Sequence, residues 1–115
     1  MKFTIEEALQ KGVKAHKEGK LEEADKLYSA ILRAQPNHPD ANHNLGVLAV
    51  SVNKVGIALS LFKAALESNP KIEQFWLSYI NALIRDKQLD KARAVLEKAR
   101  KQCVNDDKLK VLEVQ

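Results

Sequence analysis

The sequence predicts an all-α protein, a solenoid of three helical hairpins with a short C-terminal helix closing its end. Three observations predict it: similar residues recur every 34 positions, apolar residues recur at helical spacing, and only 4 Gly and 3 Pro interrupt a chain of 115 residues. Apolar residues make up 45% of the chain and charged residues 30%, which is typical of a folded globular protein. One domain covering residues 1–115 is expected at this length.

The period divides the chain into three units, residues 5–38, 39–72 and 73–106. Shifting the sequence by one period aligns residues of similar character: Gly12 with Gly46, Ala24 with Ala58 and Ala92, Tyr28 with Phe62 and Leu96, and Pro36 with Pro70. Each unit holds two apolar stretches at helical spacing and is therefore predicted to be a pair of helices. One pair cannot bury its own apolar stripe, and we expect neighbouring units to cover one another.

Residues at the ends of the predicted helices support these limits. Thr4 and Glu7 have the spacing of a capping box that begins the first helix, and Gly19 supplies a turn before the second. The two aligned prolines stop the second helices, whereas Pro39 is tolerated in the first turn of the third. Gly46 costs roughly 1 kcal/mol of helix propensity relative to alanine, and close contact between helices is the expected compensation.

These repeated positions resemble the tetratricopeptide repeat family. The residues in the family's spacing are Gly12, Ala15, Ala24, Tyr28 and Pro36 in the first unit, Leu45, Gly46, Ala49, Ala58, Phe62, Ala65 and Pro70 in the second, and Trp76, Ala92 and Ala99 in the third. The resemblance covers residues 5–106 and implies a right-handed solenoid. Three residues depart from the pattern: Ile80 replaces a glycine, Val104 replaces the terminal proline, and Asn42 replaces the aromatic residue that Trp76 supplies.

Residues 106–115 are predicted to form a capping helix. Asp106 or Asp107 suits its start, and Leu109 and Leu112 lie three apart on one face. Such a helix would cover the exposed flank of the third unit, as closing helices do in this family. The end of the chain also resembles repeat modules that bacterial proteins fuse to a glycosyl-, sulfo- or methyltransferase, which suggests the N-terminal module of such a fusion.

No arrangement of residues predicts catalysis. His38 and His43 are five residues apart across a proline, a spacing that does not suit metal ligands on one helix face. The sequence contains no glycine-rich phosphate loop and no nucleophile motif, and its paired glutamates fall in first turns of helices, where they favour the helix dipole. We expect a protein that is not an enzyme and that needs no cofactor or metal.

A soluble, cytoplasmic protein is expected, because no run of 18 apolar residues occurs and the lone Cys103 suits a reducing compartment. The net charge of +4 comes from residues 85–110, where nine Lys/Arg are interleaved with five Asp/Glu. This pattern favours a solvated helix face over contact with nucleic acid or a membrane. In the aromatic cluster, Trp76 and Tyr79 are interpreted as packing residues, while Phe75 is left open between packing and base stacking.

The resemblance also implies a binding groove, because the first helix of each hairpin lines the concave side in this family. By helical phase the groove residues are Leu9, Gln10, Val13, His43, Asn44, Val47, Val50, Leu77, Ser78, Asn81, Ile84 and Arg85, with Glu6, His16, Lys17, Asp40, Ser51 and Gln74 beside them. Apolar side chains mixed with amides suit a peptide or a partner helix. Asn44 is the principal candidate, since its amide both donates and accepts and since glycosyltransferase-type superhelices of the family grip the ligand backbone with an asparagine before Leu-Gly.

Of two alternatives for this groove, the residues argue against the first and leave the second open. The family's clamp for a terminal carboxylate would fall on Leu9, Val13, Asn44, Gln74 and Ser78, and only Asn44 fits, because the cationic donors are missing. The other alternative is that a second copy of the chain, and hence a homo-oligomer, or a neighbouring domain of a larger transferase covers the apolar groove.

Overall fold

The computed structural model describes residues 3–102, and within them the chain forms six α-helices and no strand. The helices are α1 (Ile5–Lys17), α2 (Leu21–Ala34), α3 (Pro39–Ser51), α4 (Val55–Ser68), α5 (Glu73–Arg85) and α6 (Leu89–Gln102). Helices α1, α3 and α5 begin one period apart. The predicted all-α fold of helical hairpins is confirmed. The predicted capping helix, together with Cys103 and Val104, lies outside the described residues.

The six helices stack so that one side of the molecule is more crowded than the other. Each first helix packs on its second helix, and α2 and α4 also pack on the first helix that follows them. The first helices contact one another as well, α1 with α3 and α3 with α5, whereas in residues 3–102 no α-carbon of α4 lies within 8 Å of α2 or α6. The side formed by α1, α3 and α5, called the inner helices below, is therefore the concave side.

Buried apolar side chains hold the hairpins together in three clusters. The largest joins the second hairpin to the third and includes Phe62 and Ile80. Two smaller clusters hold the first hairpin against α3, one containing Tyr28 and Leu48 and the other containing Ile31. Full burial of one such large side chain contributes roughly 1.5–3 kcal/mol, so these clusters supply much of the stability of the solenoid, both within and between hairpins.

Two glycines allow aromatic rings to approach the inner helices. A β-carbon added at Gly46 would lie 2.5 Å from Cε1 of Phe62, and one added at Gly12 would lie 2.5 Å from Cε1 of Tyr28. Both distances are far shorter than van der Waals contact, so no other residue fits at either position without movement of the ring. The interpretation of Gly46 as a packing residue is confirmed.

The start of α1 and the start of α3 carry the predicted capping signals. Thr4 Oγ1 accepts a hydrogen bond from the Glu7 amide at 3.1 Å, and the Thr4 amide donates to Glu7 Oε1 at 3.2 Å, which completes the capping box. These bonds hold the pKa of Glu7 below its ordinary value. Pro39 occupies the first turn of α3, and Nδ1 of His38 accepts from the Ala41 amide at 3.1 Å.

The turn inside each hairpin has the same backbone conformation. Gly19, Asn53 and Lys87, one period apart, have positive φ angles of 78°, 64° and 61°. The Lys87 N–H donates to the carbonyl three residues earlier at 3.0 Å, and the next N–H donates to the carbonyl five residues earlier at 2.9 Å. This is the Schellman arrangement that ends many helices. The predicted turn at Gly19 is confirmed, and the other two turns repeat it.

Candidate peptide-binding face

Two shallow depressions lie side by side on the concave side. The first, of about 220 Å³, is lined by Val13, His16, Lys17, Tyr28, Asn44 and Val47. The second, of about 350 Å³, is lined by Val47, Val50, Ser51, Phe62, Gln74, Ser78, Asn81, Ala82 and Arg85. Every residue of the first depression has its equivalent, one period later, in the second. The repeat therefore produces two related sites, and the surface that contains both is called the concave face below.

Most of the predicted groove residues line these depressions, namely Val13, Asn44, Val47, Val50, Ser78, Asn81 and Arg85. Val47 forms a wall of both, and 37% of its surface is exposed. The half-buried Leu9, Leu77 and Ile84 pack instead against the apolar clusters. Gln10 is exposed outside both depressions, and its Nε2 donates to Glu6 Oε1 at 3.4 Å.

His43 departs from the expected position on an open groove surface. Only 9% of the residue is exposed, because its ring stacks on Phe75 with centroids 4.8 Å apart and leans on Phe62 at 5.5 Å. Helical phase alone does not show how closely α5 packs on α3, and so it places His43 on the surface. Phe75 is itself buried, which resolves its open role in favour of packing. The packing roles of Trp76 and Tyr79 are confirmed by their burial.

Hydrogen bonds connect His43 to both depressions. Its Nδ1 lies 3.4 Å from Asn44 Oδ1, its Nε2 lies 2.8 Å from Ser78 Oγ, and Gln74 Nε2 donates to the same Oγ at 3.2 Å. An amide oxygen can only accept, so Nδ1 carries the proton and donates to Asn44, and Nε2 accepts from the Ser78 hydroxyl. This network fixes the Asn44 side chain by its oxygen. The Asn44 nitrogen makes no hydrogen bond within residues 3–102.

Burial sets the protonation of two groups near the depressions. Burial lowers the pKa of His43, and the hydrogen bond with Asn44 and the negative charge of Asp40 oppose this only in part. The imidazole is therefore neutral at neutral pH. Burial also raises the pKa of Tyr28, which keeps its phenol protonated. The first depression thus has an uncharged floor.

Tyr28 and Phe62 form the floors of the depressions, a role that the sequence analysis missed by treating them only as packing residues. They belong to the second helices, and the helical phase of the inner helices cannot reveal them. The signal lay in Gly12 and Gly46, since a glycine on an inner helix lets the ring behind it approach the concave side.

The described residues offer little to other kinds of site. Within residues 3–102 no group of three His, Cys, Asp or Glu side chains is arranged to hold a metal ion. No helix of this range is long and apolar enough to span a membrane. On α6, Arg93 pairs with Asp90 at 3.5 Å and Arg100 pairs with Glu97. The acids interleaved in the sequence thus compensate part of the positive charge of this helix.

A tetratricopeptide repeat profile matches residues 43–107, which is more than half of the chain. The repeated hairpins, the glycine–aromatic contacts and this match together show that the chain belongs to the tetratricopeptide repeat family. A search of curated proteins finds no match.

Three solved structures share the fold. The tetratricopeptide repeat domain of Sgt2 from Aspergillus fumigatus is 18% identical over 96% of this chain and 75% of its own, with a TM-score of 0.81. The first such domain of Spaghetti (RPAP3), bound to an HSP90 peptide, is 23% identical over 83% and 77%, with a TM-score of 0.75. An O-GlcNAc transferase mutant from Thermobaculum terrenum is 22% identical over 83% of this chain, with a TM-score of 0.76, and this chain spans 18% of it. At such identities the likeness concerns the fold.

Proposed function

We propose that this chain is a non-enzymatic interaction module that binds an extended peptide, or a partner helix, on its concave face. The observation that carries the proposal is Val47, an exposed apolar side chain that forms a wall of both depressions. An apolar side chain of a guest would leave water against this wall, while nearby amides and hydroxyls would fix its register. Protein is the proposed partner class, in the cytoplasm, rather than nucleic acid or a membrane.

Asn44 is proposed to hold the guest backbone. Its Nδ2 can donate to a peptide C=O, and the second lone pair of Oδ1 can accept from a peptide N–H. Packed helices lie roughly 8–10 Å apart and an extended chain advances about 3.3 Å per residue, so guest side chains about three residues apart would reach neighbouring depressions. The Spaghetti domain bound to an HSP90 peptide supports this use of the fold by analogy.

The test begins with a displayed peptide library screened against the full chain, followed by titration of the selected peptides. We expect Asn44→Ala and Val47→Asp each to weaken binding by roughly 1–2 kcal/mol, as truncations in a recognition site do. Ile57→Asp is the matched control, because Ile57 is 56% exposed on α4, away from the concave side, and its replacement should leave affinity unchanged. If Asn44→Ala and Val47→Asp bind the selected peptides as tightly as the wild type does, the proposal is wrong.

The second candidate is self-association, or docking within a larger transferase-type protein. It is favoured by the likeness to the O-GlcNAc transferase, of which this chain spans only 18%. Light scattering over a concentration series separates the two functions. A dimer that Val47→Asp dissociates would support self-association through the concave face, and a strict monomer at all concentrations would count against it.

A further inference from the structure

Two cations lie at one edge of the concave face. Lys17, Ser51 and Arg85 are the last residues of the inner helices and are one period apart. Because each pair of inner helices is separated by one helix running back, α1, α3 and α5 run in the same direction and their C-terminal ends meet at one edge. Lys17 lines the first depression and Arg85 the second, with Ser51 between them.

Neither cation is neutralised within the described chain. Both are exposed, and neither makes an ion pair within residues 3–102. The acids that follow them in sequence are engaged elsewhere. Glu18 Oε1 lies 3.5 Å from Lys20 Nζ, and Asp86 Oδ2 accepts a hydrogen bond from a neighbouring glutamine at 2.7 Å.

The acids of the inner helices lie at the opposite edge. Glu6, Glu7, Asp40 and Glu73 all fall in first turns. A helix C-terminus by itself favours a cation, yet that preference does not explain why Lys17 and Arg85 line the two depressions. At the edge where Lys17 and Arg85 lie, Glu18 pairs with Lys20 and Asp86 accepts from a neutral glutamine, so neither acid pairs with Lys17 or Arg85.

The distance between the cations limits what they can bind together. Lys17 and Arg85 are two helix spacings apart, or roughly 16–20 Å, and an extended peptide covers this distance in about five to six residues. One terminal carboxylate cannot reach both. Val47 lies between the two depressions, and so between the cations.

We propose that the guest is an acidic peptide segment in which two carboxylate side chains, about six residues apart, flank an apolar side chain that packs on Val47. This inference rests on the proposed function and specifies its ligand. Arg85 would bind its carboxylate with paired N–H donors, and Lys17 would act as a point charge. The apolar residue supplies burial, and the charges select the sequence and its position on the face.

The test uses the full chain and a labelled peptide with both ends blocked, Glu-Ser-Thr-Leu-Thr-Ser-Glu. Two companion peptides carry Gln or Lys in place of both Glu residues. Fluorescence polarisation at low salt should show the Glu peptide binding about tenfold more tightly than the Gln peptide, with the Lys peptide weakest, and added salt should shrink these differences. A Gln or Lys peptide that binds as tightly as the Glu peptide would overturn the inference.

A charge exchange tests the two cations directly. The double variant Lys17→Glu with Arg85→Glu should prefer the Lys peptide, whereas Lys63→Glu with Lys98→Glu, an equal charge change on exposed residues of α4 and α6, should keep the original order. If both double variants came to prefer the Lys peptide, net charge alone would explain the preference, and the assignment of Lys17 and Arg85 as the binding residues would be contradicted. If library peptides bind at Val47 but none of the three designed peptides does, the acidic guest is wrong and the proposed function stands. If no library peptide binds, the proposed function itself fails.

Discussion

Asn42 and Trp76, one period apart on α3 and α5, donate hydrogen bonds to equivalent backbone carbonyls of the preceding repeats. Asn42 Nδ2 donates to the carbonyl of Pro36 at 3.1 Å, and Trp76 Nε1 donates to the carbonyl of Pro70 at 2.7 Å. Asn42 makes a second bond, to the His38 carbonyl, at 3.1 Å. The asparagine that breaks the family's sequence pattern therefore keeps the bond that ties the start of one hairpin to the end of the preceding one.

Replacing Asn42 with alanine should destabilise the fold by about 0.5–1.5 kcal/mol, because the Pro36 carbonyl loses this donor, whereas the His38 carbonyl keeps the Asn42 backbone N–H as its donor. Urea unfolding followed by the fluorescence of the single tryptophan measures this. Asn37→Ala, in the exposed loop just before, should change stability by less than about 0.5 kcal/mol. Equal losses in the two variants would show that the Asn42 bonds contribute nothing specific.

Gly46→Ala should destabilise the protein by roughly 1–2 kcal/mol, since the strain of overpacking against Phe62 exceeds the gain in helix propensity. Gly56→Ala is the matched control: Gly56 is also helical but has nothing within 4 Å of an added β-carbon, so the same change should stabilise by about 0.5–1 kcal/mol. Thermal unfolding of both variants shows whether each substitution raises or lowers the stability. The third hairpin avoids the conflict with Ile80 and Leu96, both buried. The double variant Gly46→Ala with Phe62→Leu should therefore be more stable than Gly46→Ala with the wild-type Phe62.

Acidification should weaken the fold through His43. Its pKa in the fold lies below the ordinary value of about 6.5, so the unfolded chain binds more protons between these two values and stability falls as pH drops below 6.5. Urea unfolding at pH 7.5, 6 and 5 should show a smaller loss for His43→Gln than for the wild type. Glu7, whose pKa is also lowered, contributes stability above pH 4.5 and loses it only below that value, outside this window.

Lys87→Gly should stabilise the protein by about 0.5–1 kcal/mol. Lys87 has a φ of 61°, which is unfavourable for a residue with a β-carbon and free of that penalty for glycine, although glycine loses more backbone entropy on folding. Lys91→Gly, on the exposed face of α6, should cost about 1 kcal/mol instead. Calorimetric melting of the two variants compares them. A loss of stability in both would mean that the turn conformation is not a source of strain.

The sequence predicted the fold well because the fold depends on features that repeat. Gly46, the capping box at Thr4 and the turn at Gly19 each obey a local rule or recur in phase, and each is found as expected. Asn53 carries a weaker signal of the same kind, because asparagine also tolerates a positive φ, whereas Lys87 carries none. The conformation at Lys87 follows from the connection between two helices and not from the residue that occupies it.

The concave face was less predictable, because it depends on how closely neighbouring helices approach. Helical phase assigned Val13, Asn44 and Val47 to the inner side, where the depressions lie. The same phase assigned His43 to the open surface, although α5 covers it. Exposure at such positions is decided by the bulk of residues on the neighbouring inner helix, such as Phe75, and a pattern within a single helix contains no information about them.

The division of the apolar core has a consequence for the order of binding. The largest cluster spans the second and third hairpins, whereas the first hairpin is held by two smaller ones. Partial opening follows such differences in buried contact, so amide hydrogens of α1 and α2 should exchange faster than those of α4 and α5. When the first hairpin detaches, the first depression is lost, whereas the second depression, beside Arg85, remains. A bound peptide would accordingly contact the depression beside Arg85 first. Its later contact with Lys17 would stabilise the packing of the first hairpin against the rest of the solenoid.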